Sequence, residues 1–176
     1  MADSKEVIEA REKTNDKSYF SEIVKINPTL IEWANDEIRD DKEIMLKAVE
    51  NDGGVLEFAS DRLKDDKDVI LKSVSQAGWS CCYASDRLKG DKDVLLAASK
   101  IDGQVLYFAS ENLRDDKDVV LTAVTQKPII LKYASYRLRD DKDIAIAAIK
   151  KGKKKVIEYI SPRLAEDEDI KALLEE

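Results

Sequence analysis

Four kinds of side chain recur along this sequence at spacings that could do chemistry. Asp41, Asp66, Asp91, Asp116 and Asp141 form a row of carboxylates 25 residues apart, which would make a ladder of cation sites if their oxygens converged. Arg62, Arg87, Arg137 and Arg163 form a second row, and Lys67, Lys92, Lys117 and Lys142 a third. Regularly spaced cations on a repeat scaffold suit the phosphates of a nucleic acid, as in one-base-per-repeat RNA binders. Trp33, Phe58, Tyr83, Phe108, Tyr133 and Tyr159 are a row of rings on which bases could stack, and Cys81 and Cys82 are two adjacent thiols.

Each row also has a simpler demand to meet. No stretch carries the Asp-x-Asp-x-Asp-Gly calcium loop, and every Asp of the row stands where a helix needs an N-cap. The acids Asp61, Asp65, Asp66 and Asp68 lie within a few residues of Arg62, so local ion pairing on a solvated edge is expected of the cations. The aromatic positions fall three residues after Val55-type positions and one before a recurrent alanine, which predicts core packing. Cys81 and Cys82 occupy places held elsewhere by Leu56 and Glu57, so a small core residue and a partly exposed thiol are expected. Neither has a nearby group to lower its pKa. There is no histidine, so the commonest general base, transition-metal ligand and pH sensor are missing together. The reading is of a non-enzymatic chain with no catalytic residue, cofactor or metal.

The elements that would position these rows come from an internal repeat. Asp-Asp-Lys begins at Asp40, Asp65, Asp115 and Asp140, with Gly90-Asp91-Lys92 keeping the period in the gap and Asn15-Asp16-Lys17 before it. Glu166-Asp167-Glu168 falls one residue late, which puts an extra residue within residues 150–155. Between these marks the pattern Phe58-Ala59-Ser60-Asp61-Arg62-Leu63 returns in each unit. A 25-residue period means a stacked repeat architecture. The expected fold is all-α: an α-solenoid, with a right-handed superhelix, of six helix-turn-helix repeats in one domain. The boundaries are an N-terminal cap 1–15, repeats 16–40, 41–65, 66–90, 91–115, 116–140 and 141–166, and a C-terminal cap helix 167–176.

Each repeat reads as two antiparallel helices. The first opens at the Asp and carries apolar residues such as Val119, Val120, Ala123 and Val124 at i, i+1, i+4 and i+5. Which Asp of each pair is the cap proper is left open. The second begins where Gly53, Gly78 and Gly103 recur and Pro28 and Pro128 replace them, and its buried face runs through Val55, Leu56, Ala59 and Leu63. The alanines (Ala34, Ala59, Ala84, Ala109, Ala134) mark a tight helix crossing. Ser161-Pro162 predicts a break followed by a short helical turn. Residues 4–13 read as a degenerate second helix, and Asp167 to Leu174 as a restarted first helix. Half-units of this kind would shield the ends of a complete domain.

The run from Ser60 to Val69, Ser-Asp-Arg-Leu-Lys-Asp-Asp-Lys-Asp-Val, followed by Leu71-Lys72 and a glycine turn, resembles a tandem helical repeat family known as domain of unknown function 4116. The resemblance covers nearly the whole chain. It implies a helical repeat fold and brings no activity, cofactor or catalytic residue with it.

Composition bounds the rest. Hydrophobic residues at 43% support a core, and 38% charged residues a solvated surface. A net charge of −7, from 30 basic and 37 acidic residues, opposes general affinity for phosphate backbones or anionic membranes. No apolar run reaches transmembrane length, Met1 to Glu6 lead into no signal-peptide core, and adjacent cysteines are no disulfide framework. A cytoplasmic monomer is expected.

Where the repeats disagree, they suggest a site. On the second helix the outward stripe at i, i+3 and i+7 is Gly54, Glu57, Asp61 in one repeat and Trp79, Cys82, Asp86 in the next. It continues as Gln104, Tyr107, Glu111 and then Ile129, Lys132, Tyr136. Large apolar residues on a surface mark binding sites. Trp79, Cys82, Tyr107, Ile129, Lys132 and Tyr136 are therefore the candidate partner-binding residues. The alternative is that Trp79 and Ile129 fold inward as local packing. A protein or peptide partner is the first functional expectation, and nucleic acid held by the Arg and Lys rows the second.

Overall fold

The computed structural model describes residues 4–175. Met1, Ala2 and Asp3 of the expected N-terminal cap, and Glu176 of the C-terminal one, lie outside them. The described residues are mostly helical, joined by turns and short extended links, with no strand among them. Two compact units divide the chain, the first ending at Leu88 and the second starting at Lys89. In each, helical repeats stack as in an α-solenoid.

The repeat has three helical pieces rather than two. A ten-residue α-helix comes first, as in Lys42–Asn51, Lys67–Gln76, Lys92–Ile101 and Lys117–Gln126. Isolated helices of this length are marginal in water, so packing must hold them. Val119, Val120, Ala123 and Val124 are fully buried, as are Ile44, Met45, Ala48 and Val49. Burying each Val, Ile or Met contributes roughly 1.5–3 kcal/mol. Long helices of neighbouring repeats lie against each other, Lys42–Asn51 on Lys67–Gln76 in the first unit and Lys92–Ile101 on Lys117–Gln126 in the second.

The expected second helix is broken. Gly53–Phe58 is a 3-10 helix, Ala59 and Ser60 are extended, and Asp61–Lys64 is a single α-helical turn. The same break follows Trp33, Tyr83 and Tyr133. The sequence predicted it only at Ser161-Pro162, where Ser161 does cap the turn Pro162–Ala165. Proline is not required, because a Ser or Asn side chain caps the turn elsewhere: Ser60 Oγ accepts from Leu63 N–H at 3.2 Å and Asn35 Oδ1 from Ile38 N–H at 3.0 Å.

Two further expectations change with the geometry, and the recurrent glycine finds its reason in packing. The recurrent glycine has no positive φ, and none does among the described residues. It serves close approach instead: a Cβ on Gly53 would stand 2.3 Å from the Ser73 carbonyl oxygen, and one on Gly103 2.4 Å from that of Ala123. The aromatic row is half-buried rather than core, since the 3-10 turn rotates it away from the direction an α-helix would give. Lastly, the alanines are buried but lie at the extended break, not in a helix crossing.

The ends follow the sequence in part. Lys5–Glu12 is an α-helix, not a 3-10 segment, yet it rests on the first 3-10 helix, Pro28–Trp33, with the Arg11 guanidinium 3.9 Å from the Trp33 ring centre. Glu168–Glu175 packs on Lys142–Gly152 as a restarted first helix. The extra residue of the sixth repeat lengthens Lys142–Gly152 to eleven residues, and the chain leaves it through Lys153 at φ 49°.

Candidate functional site

The two aspartates of each pair divide their labour. The second is the cap: Asp116 Oδ1 accepts from Asp118 N–H at 3.0 Å and Val119 N–H at 3.2 Å, and Asp41, Asp66 and Asp141 do the same in their repeats. Its other oxygen takes a lysine from the preceding repeat. Lys42 Nζ bridges Asp66 and Asp68, each at 2.8 Å, and Lys92, Lys117 and Lys142 bridge the corresponding acids one repeat on. At Asp116 burial pushes the carboxyl pKa up, but the Lys92 and backbone N–H bonds outweigh it and hold it below the ordinary value.

The first aspartate is a clamp between repeats. Arg62 Nε donates to Asp40 Oδ1 at 2.9 Å and Oδ2 at 3.1 Å, and its Nη2 to the Asp40 carbonyl at 2.6 Å. The Ser60 hydroxyl donates to the same carboxylate while accepting from Leu63 N–H. Ser85 and Arg87 hold Asp65 alike, as do Ser135 and Arg137 with Asp115, and Ser161 and Arg163 with Asp140. These bonds, Ser first and Arg second, keep the four carboxyls below the ordinary Asp range. The expected pairing of Arg62 with its sequence neighbours Asp61, Asp65, Asp66 and Asp68 is therefore corrected: its partner lies 22 residues upstream. Two repeats lack the clamp: 16–40 has Asn15, Asn35 and Glu37 at its three places, and 91–115 has Gly90 for the Asp and Asn112 for the Arg, with Ser110 making no side-chain cap bond. That paired loss is a signal readable in the sequence.

The variable outward positions fall in both units. In the first, Trp79 is 46% exposed. Its ring covers Gly54, where a Cβ would stand 3.0 Å from Trp79 Cη2, and meets Tyr83 edge-on at 6.0 Å. Part of this residue is thus local packing, and it leaves little room for a side chain at position 54. Cys82 is half-buried beside the fully buried Cys81, and neither is in a disulfide. In the second unit Tyr107 is 53% exposed, Ile129 41% and Tyr136 69%. Tyr107 packs edge-on against Tyr133 at 5.1 Å, and Lys132 Nζ stands 4.8 Å from the Tyr133 ring centre. Because the chain breaks at Ala134 and Ser135, Tyr136 opens a separate helical turn and does not share one helix with Ile129 and Lys132.

The family model for the domain of unknown function DUF4116 matches five overlapping windows, residues 16–64, 41–89, 66–114, 91–139 and 116–165. The chain belongs to the DUF4116 family. Each DUF4116 window opens at a capping Asp and closes with a short helical turn, so four of the five enclose one whole Asp–Ser–Arg clamp. The window 66–114 holds Gly90 and Asn112 instead. Comparison with curated proteins and with solved structures returns no match. No helix among the described residues is long and apolar enough to cross a membrane.

Proposed function

We propose that this DUF4116 chain is a non-catalytic binding module that holds a protein or peptide on the variable outward face of its second unit. The observation that carries this is the exposed cluster of Tyr107, Ile129, Lys132 and Tyr136 around half-buried Tyr133. The repeat does not require it, since the first unit has Glu57, Gly54 and Asp61 at the places of Tyr107 and Lys132, Ile129 and Tyr136. Clustered tyrosines beside an apolar side chain are what protein interfaces concentrate. The nucleic-acid reading is disfavoured by the clamps: Arg62, Arg87, Arg137 and Arg163 each spend their fork on an Asp, and Lys42, Lys92, Lys117 and Lys142 each bridge two.

The test is partner capture by the full chain and by Tyr107→Ala with Tyr136→Ala. Loss of capture with unchanged helical circular dichroism supports the face. A folded double variant that still captures the partner rejects it.

A further inference from the structure

The cations that join successive repeats, such as Lys42, Arg62, Lys117 and Arg137, answer to carboxylates, but among the described residues the lysines at 150–155 do not. Residues 127–155 carry ten lysines and arginines against three aspartates, a net charge of +7 in a chain whose total is −7. Within this stretch Lys150, Lys151, Lys153, Lys154 and Lys155 occupy five of six consecutive positions, and all five are exposed. Among the described residues Lys150, Lys153, Lys154 and Lys155 form no ion pair, while Lys151 Nζ donates to the Thr125 carbonyl at 2.7 Å. Lysines near a helix C-terminus complement its dipole, which accounts for Lys150 and Lys151 at the end of Lys142–Gly152. It does not account for the three beyond it. Nor does the repeat demand the pair Lys150 and Lys151: Thr125 and Gln126 stand at their places one repeat earlier.

Backbone and groove shape add to the charge. Lys153 is the one non-glycine residue at positive φ among the described residues. Such a position favours glycine, and a lysine held there points to a use for its side chain. Two apolar-floored grooves meet at Lys151. One, of about 490 Å³, has Leu121, Ile146 and Ala147 along it with Thr125, Lys150, Lys151 and Asp143, whose carboxylate Lys117 holds. The other, of about 510 Å³, lies between the lysines 151 and 153–155 and Leu173 and Leu174. At the repeat position of Ala147 the first unit has Lys47 and Lys72, each paired with a glutamate. The sixth repeat leaves the apolar strip uncovered and moves cations to its rim.

We propose that this corner is a docking site for an acidic peptide segment that carries leucine-like side chains. Carboxylates meet the five lysines, and the apolar side chains enter the two grooves. Neither groove is lined by an aromatic ring or an arginine, so it offers no stacking platform and no bidentate fork for nucleic acid. The site uses other residues than the tyrosine face and stands without it.

The test is fluorescence anisotropy of the full chain with a labelled twelve-residue peptide of alternating glutamate and leucine pairs. A polyglutamate peptide of equal charge, a twelve-base-pair DNA duplex and phosphatidylserine vesicles are run beside it. The expected result is saturable binding of the Glu-Leu peptide, at least fivefold tighter than polyglutamate and tighter than DNA or vesicles. Lys153→Glu with Lys154→Glu and Lys155→Glu, checked for unchanged circular dichroism, should weaken it at least tenfold, whereas Lys64→Glu should change it less than twofold. High salt on the wild type gives the same reading without a variant, as a marked loss of affinity. Absent peptide binding, equal affinity for polyglutamate, tighter binding of DNA or vesicles, or indifference to both charge reversal and salt would each overturn the proposal.

Discussion

Replacing Asp116 by alanine isolates the cap from everything else its repeat does. Asp116 Oδ1 satisfies two first-turn N–H groups of Lys117–Gln126, a helix too short to hold by propensity. Losing such a cap costs about 0.5–2 kcal/mol. For a chain of this size each kcal/mol moves the Tm by roughly 2–4 °C, so a fall of about 1–8 °C is expected. Asp116→Asn keeps an acceptor for the same N–H groups and gives up only the carboxylate that pairs with half-exposed Lys92. Its Tm should lie clearly above that of the alanine variant. Thermal and urea melts followed by far-UV circular dichroism read both. Equal losses in the two variants would move the role of Asp116 from cap to charge. A rise of several degrees on adding calcium or magnesium to the wild type would return the Asp row to metal binding.

The clamp makes a gain-of-stability prediction: Gly90→Asp with Asn112→Arg should rebuild it in repeat 91–115 and raise the Tm, each single change doing less, and a double-mutant cycle on thermal melts checks it. Ser99 is fully buried with its hydroxyl unpaired, where other repeats have Val49, Val74 and Val124. Ser99→Val should therefore stabilise by about 1–3 kcal/mol in urea melts, the desolvation cost of an unmade bond. The clamp and cap carboxyls have folded pKa values below their ordinary 3.8, so their stabilisation is complete above that pH and is lost as pH falls through the folded values. Lys42, Lys92, Lys117 and Lys142 are raised above 10.5 by their Asp bonds, so theirs is complete below 10.5 and lost as pH rises beyond it. With no histidine between, the Tm measured against pH should be flat from about 5 to 9 and fall at both ends.

How much of this was legible differs by element. The long helix was readable because its signals are local: an Asp at the start, then apolar residues at i, i+1, i+4 and i+5 that face the neighbouring helices. The broken second segment was not. Val55, Leu56, Ala59 and Leu63 fit an α-helical stripe, and what stabilises the break is the Ser60 hydroxyl reaching Asp40 in the preceding repeat. Local pattern carries no trace of that bond. The same distance hid the partner of Arg62, for which nearer acids were at hand in sequence. Aromatic burial is hidden for a related reason, since a 3-10 turn places these rings away from the angle an α-helix would give. The outward face fared better: Trp79, Tyr107, Ile129 and Tyr136 are exposed as expected, although Trp79 also packs on Gly54 and Tyr136 belongs to another helical piece.

Site-specific photo-crosslinking tests the binding face most directly. A photoreactive residue is placed at Tyr136 in one full-length protein and at its first-unit counterpart Asp61 in another, and each is irradiated with the partner. An adduct is expected from position 136 that excess unlabelled protein competes away, and little or none from position 61. Equal adducts from both positions, or an adduct from 61 alone, would contradict it.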